Sequence, residues 1–136
     1  MNKWEQKYDD WCKQPLNYNF NRVFILLSII YFISVMFDFC FTFITFTMDS
    51  DGFFRYEISF IIKEALRGNP FYCSLIVLFV SLPLIIVYGF NVYYVKKYGT
   101  SINSVRILLF ALYVISFLHI VGGFTNFFYL INMGGI

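Results

Sequence analysis

A chain of 136 residues that is 60% hydrophobic, 24% aromatic and only 13% charged, with a mean hydropathy of +0.69, lies outside the roughly 45–50% apolar and about 25% charged composition of soluble domains. Its length suits one bundle and no second domain, which excludes a multidomain enzyme or a large soluble receptor. The net charge of +2 comes from ten scattered Lys and Arg residues against eight acids, so no basic stripe for nucleic acid is formed.

Residues 1–22 form an N-terminal arm that mixes acids and bases, unlike the short basic start of a cleavable secretory signal. Within it Trp4, Tyr8 and Trp11 fall at i, i+4 and i+7, opposite Glu5, Asp9, Asp10 and Lys13, and Pro15 stops the pattern. This spacing predicts an amphipathic helix lying at the membrane interface.

Three uninterrupted apolar stretches follow, at residues 23–47, 71–95 and 107–131. Each has about 25 residues and reaches roughly 37 Å as a helix, enough to cross a hydrocarbon layer of about 30 Å. Strands are excluded because an open sheet cannot satisfy its edges in lipid and a closed barrel needs more strands than this length supplies. Between the first two spans, residues 52–67 place Phe54, Ile58, Ile61, Ile62 and Ala65 on one face and Tyr56, Ser59, Lys63 and Arg67 on the other, which predicts a second amphipathic helix. A polar turn, Lys96-Lys97-Tyr98-Gly99-Thr100-Ser101, joins the second span to the third, with Ser101 or Asn103 as candidate cap. The expected fold is an all-α integral membrane protein with three transmembrane helices plus two amphipathic interfacial helices, in a single membrane domain.

Lys3, Lys7, Lys13, Arg22, Lys96, Lys97 and Arg106 share one side of such a bundle, against Arg55, Lys63 and Arg67 on the other. Basic loops stay inside, so the N-terminus is expected inside and the C-terminus outside.

Asp38 is the most informative residue, because a carboxylate inside a span costs about 2.5–3.5 kcal/mol on insertion scales. It lies on a polar stripe of Tyr31, Ser34, Asp38, Thr42, Thr45 and Asp49, spaced by three or four. Two readings stand: a hydrogen-bonded contact between helices, or a proton, ion or metal site. His119, the single histidine, lies mid-way along the third span on a face with Tyr113, Ser116, Gly123 and Asn126. Helical rise puts Asp38 about 4–5 Å and His119 about 1–2 Å outward of their span centres, so an Asp–His hydrogen bond is expected. Glu57, with Glu64 seven residues on, completes a candidate set. If Asp38, Glu57 and His119 converge, two carboxylates and an imidazole suit a divalent metal. One histidine cannot supply both axial imidazoles of a haem, no organic cofactor is expected, and hydrolase and nucleotide-binding signatures are absent.

Packing signals are also present. Ser74, Ser81 and Tyr88 recur every seven residues on the second span, and Gly122-Gly123 precedes Asn126 on the third; with Thr42, these predict polar helix–helix contact faces. Pro83 removes a backbone donor and frees the carbonyl of Phe79. Cys12, Cys40 and Cys73 have neither disulfide nor zinc spacing.

Asp38-x-x-x-Thr42 in the first span, then Gly52, Glu57-Ile58-Ser59 and a polar third span, resembles small archaeal and bacterial integral membrane proteins classed as a family of unknown function. Those carry an Asp-x-x-x-Thr helix and a Glu-x-Asn-Pro element after a glycine. The likeness runs from about Ile33 to the C-terminus; Ser59-Phe60 stands where Asn-Pro would be, and Asn69-Pro70 comes later. The resemblance implies a shared architecture and an Asp38/Thr42/Glu57 cluster, without a reaction. The expected setting is the plasma membrane of an archaeon or bacterium, or an organellar inner membrane.

Three functions are compatible with the pattern. The first is a non-catalytic accessory subunit that packs against lipid and other membrane subunits, or against itself. The second is an intramembrane metal- or proton-handling site on Asp38 and His119, assisted by Glu57 or Asn126. The third is a small homo-oligomeric channel or transporter with Asp38 lining its axis.

Overall fold

The computed structural model describes residues 2–57 and 59–133; Ile58, placed above on an apolar face, lies outside them, as does the side chain of Tyr56. Six helices follow one another: α1 (Lys3–Lys13), α2 (Phe20–Met48), α3 (Ser50–Tyr56), α4 (Phe60–Leu66), α5 (Pro70–Tyr98) and α6 (Ser104–Asn132). Three of them, α2, α5 and α6, are long and apolar enough to cross a membrane, and they contain the three expected spans with a turn or less added at each end.

Local chemistry sets the helix ends. A reciprocal capping box opens α1, with Asn2 accepting from the Trp4 and Glu5 end of the first turn and its own N–H donating to Glu5 Oε2 at 2.7 Å. No residue of α1 is buried and Trp4 and Tyr8 are exposed, as an interfacial helix requires. Asn19 caps α2 by accepting from Arg22 N at 3.2 Å. Asn69 caps α5 ahead of Pro70 at the first position, and Gly99, at φ 77°, closes it in the left-handed conformation. The third span starts at Asn103, which forms no side-chain cap; Ser101 Oγ instead donates to Asn91 Oδ1 at 2.5 Å.

The single amphipathic helix expected over 52–67 is two short helices, α3 and α4. The break follows from side chains that compete for backbone donors. Glu57 ends α3 and its Oε1 accepts from Ser59 N at 2.8 Å, while Ser59 Oγ accepts from Ile62 N at 3.3 Å and starts α4.

The bundle is built on α2 and α6, which run parallel and bury most of each other's inner faces. Phe20, Tyr31, Val35, Val105, Leu109 and Leu112, joined by Val87 of α5, form the core at the basic end. In the other half α5 stands against α4, with Phe60 and Tyr72 rings 5.5 Å apart and Cys73 Sγ 3.6 Å from the Ala65 carbonyl. Only Val87 and Asn91 of α5 are buried.

Of the heptad face on the second span, Tyr88 meets α2, its ring centroid 5.6 Å from that of Phe24, while the two serine hydroxyls bond within their own helix. Ser74 Oγ donates to Pro70 O and Ser81 Oγ to Leu78 O in their own helix, and Tyr88 is half exposed. A serine hydroxyl reaches a carbonyl one turn back at little cost, so heptad spacing alone does not aim it at a neighbour. Near Pro83 the chain does make a cross-helix bond, from Tyr31 OH to Val80 O at 2.8 Å.

Candidate functional site

The polar stripe of α2 faces α6. Ser34 and Thr45 are buried, with hydroxyls donating to Tyr31 O and Phe41 O at 2.7 and 2.8 Å. Ser116 of α6 does the same to Leu112 O at 2.8 Å. These small, internally satisfied residues let the two helices approach closely.

Three cross-helix bonds climb this seam. His119 Nδ1 lies 2.7 Å from Asp38 Oδ2, and with Asp38 as a carboxylate the imidazole Nδ1–H is the donor. One turn further, Asn126 Nδ2 donates to Thr42 Oγ1 at 3.0 Å. At the end of α2, Tyr129 OH donates to Asp49 Oδ2 at 2.8 Å, while Asp49 Oδ1 accepts from Gly52 N at 2.9 Å and caps α3. The Gly52 amide, followed by the Tyr129 hydroxyl, holds the Asp49 carboxyl below the ordinary carboxylate range.

Glycines make room for this arrangement. A Cβ on Gly122 would lie 2.9 Å from Asp38 Oδ1, and one on Gly123 would collide with the Phe37 ring. Gly52 is held between Asp49 and the Tyr129 hydroxyl, where a Cβ would lie 2.5 Å from the Tyr129 oxygen.

Asp38 and His119 are not sealed. Their side chains are 23% and 28% exposed, and both line a cleft of about 440 Å³. Thr42, Asn126 and Tyr129 continue its polar floor, and Phe39, Phe53 and Ile62 form an apolar wall. Glu57 also lines the cleft, but its carboxylate is engaged by the Ser59 amide. The divalent-metal set expected of Asp38, Glu57 and His119 is not assembled: among the described residues no three His, Cys, Asp or Glu groups are placed to hold an ion. Glu64 is drawn away to Arg67 Nη1 at 2.5 Å.

The Asp38–His119 pair was legible in the spacing; Thr42 and Asn126 were each expected on a contact face, and the structure shows that they bond to each other. Tyr113, assigned to the His119 face, is instead half exposed, and Leu112 takes the inward position. The Asp49–Tyr129 bond was missed, although Tyr129 lies three residues after Asn126 and continues the same face. Cys12, Cys40 and Cys73 are free thiols.

No family model, curated protein or solved structure matches the chain.

Proposed function

We propose that this membrane protein works through an intramembrane acid–base site, in which the Asp38–His119 couple exchanges a proton with a polar group admitted to the cleft. The observation that carries the reading is the 2.7 Å contact between two ionisable side chains that both remain open to a cavity. Energetics support it over a purely structural contact. A hydrogen bond between membrane helices contributes about 0.6–2 kcal/mol, less than the about 2.5–3.5 kcal/mol cost of inserting the carboxylate. Where only adhesion is needed, a neutral pair suffices, as Thr42 and Asn126 supply one turn away.

In this reading His119 Nε2 takes the proton from the cleft and the imidazolium is held by Asp38 until the proton returns. With the basic end of the bundle inside, the cleft opens in the outer half of the membrane. Alleles carrying Asp38→Asn or His119→Gln, expressed from the native locus, are expected to reproduce the deletion phenotype while the protein accumulates normally. Loss of the protein itself from the membrane would make the pair structural.

A second reading, an accessory subunit of a larger membrane complex, is favoured by α5. Most of that helix is left for lipid or another subunit, and Gly89 sits in a groove edged by Ile85, Ile86, Phe90 and Tyr93, where a second helix can approach closely. Mild-detergent extraction followed by native mass spectrometry decides it. Stoichiometric partners support this reading, and the chain alone contradicts it.

A further inference from the structure

A second cavity, of about 540 Å³, lies at the opposite, basic end of the bundle, among the start of α2, the last turns of α5 and the two connecting segments at 14–19 and 99–103. It is a built site. Leu16 N donates to Ser101 O at 3.1 Å and Asn103 N to Gln14 O at 2.8 Å, so the segment entering α2 is fastened to the turn entering α6.

Its donors point one way chemically. Asn91, 5% exposed, lines the cavity; its side-chain oxygen is taken by Ser101, whereas its amide nitrogen has no protein partner among the described residues. Phe20 and Asn21, in the first turn of the 29-residue α2, also line it. Their backbone N–H groups have no acceptor within the helix, and the helix dipole favours an anion there. Lys96 adds an ammonium that is in no ion pair among the described residues. Arg106 stands 5.9 Å over the ring of Tyr18, another wall residue. No carboxylate lines the cavity among the described residues. An amide donor, the two first-turn N–H groups of α2 that its Asn19 cap leaves over and a lysine, with Leu16, Tyr88 and Val92 as apolar walls, match an anionic phosphate that carries or adjoins apolar material.

We propose that this cavity binds a phosphate group at the membrane boundary, held by Lys96, the Asn91 amide and the first turn of α2. The site is separate from the Asp38–His119 cleft and does not rest on the role given to that pair.

The full chain, purified in mild detergent, is exchanged into nanodiscs of phosphatidylcholine alone or mixed with phosphatidic acid, and retained lipid is counted by native mass spectrometry. The wild type is expected to retain one phosphatidic acid in preference to phosphatidylcholine. Lys96→Gln, a change on the exposed end of α5, is expected to weaken retention roughly ten-fold, the size of one lost charge-assisted hydrogen bond. Asn91→Asp, which keeps the shape and faces the anion with a carboxylate, is expected to do at least as much, and Lys97→Gln, off the cavity wall, to do nothing. A parallel ³¹P titration with inorganic phosphate separates the sources: line broadening that Lys96→Gln abolishes, without lipid preference, assigns the site to free phosphate. Equal retention of both lipids with no phosphate binding overturns the proposal, and so does retention that neither variant at Lys96 nor Asn91 changes.

Discussion

Asp38 and His119 stand 81 positions apart in the chain and meet at 2.7 Å on the facing sides of two parallel helices. Because α2 and α6 cross in the same direction, residues at similar depth in the two sequences arrive at similar depth in the membrane. A double-mutant cycle with Asp38→Asn and His119→Gln is expected to show a coupling of about 1 kcal/mol, within the range of polar contacts between membrane helices. Reversible unfolding in mixed micelles measures it; strictly additive effects would mean that the two side chains do not interact.

The glycine pair of α6 acts differently at its two positions. The Phe37 ring that a Gly123 Cβ would strike is packed against Phe41 and Phe124, with centroids 4.9 and 5.2 Å away, so it has little room to move. Gly123→Ala is expected to wedge α2 from α6 and to destabilise the bundle by about 1–3 kcal/mol. Gly122→Ala meets the end of the Asp38 side chain, which can turn aside. Its expected effect is a milder loss of stability with a broken Asp38–His119 contact, read from unfolding and from the imidazole ¹⁵N shifts together.

Thr42→Val removes the acceptor of the Asn126 amide and is expected to cost about 0.6–1.7 kcal/mol. Ser81→Ala, whose hydroxyl serves only its own helix, is expected to stay within about 0.5 kcal/mol of wild type. Equal effects in the same unfolding assay would contradict the different bonding of the two hydroxyls.

Asp49 connects acidity to the packing of α3. Its carboxyl titrates below the ordinary carboxylate range in the folded protein, through the Gly52 amide and then the Tyr129 hydroxyl. A carboxyl with a depressed folded pKa stabilises the fold at pH values above its unfolded pKa, about 3.9. That contribution is lost as pH falls from there through the lower folded value. The wild type is therefore expected to lose thermal stability below about pH 4, and Asp49→Asn to lose less over the same interval. Parallel acid-induced loss in both proteins would place the acid-sensitive group elsewhere.

The three long apolar helices, the amphipathic α1 and the α2 polar stripe were legible in the sequence because lipid imposes long apolar runs and helical spacing places polar groups on one face. Asp38 with His119 followed from that spacing and depth, whereas Thr42 and Asn126 were marked as contact residues without being paired. The break after Glu57 was not legible as hydrophobic periodicity, because it depends on which backbone donors the Glu57 and Ser59 side chains capture. Ser81 illustrates the converse: seven-residue spacing marks a face, but a hydroxyl that can bond its own helix carries no information about a neighbour. Glu57 lines the same cleft as Asp38 and one of its carboxylate oxygens is bonded to the Ser59 amide, and among the described residues it is not placed with the pair as a metal ligand set.

The single histidine gives direct access to the central claim. With the imidazole of His119 labelled with ¹⁵N and the protein in bilayers, solid-state NMR resolves one Nδ1 and one Nε2 resonance. The account predicts an Nδ1 hydrogen bonded to a carboxylate, a marked shift of that resonance in Asp38→Asn, and proton exchange between the ring and water that has entered the cleft. A ring that shows no exchange with water, with resonances unchanged in Asp38→Asn, would contradict an acid–base site and leave the pair as neither coupled nor accessible.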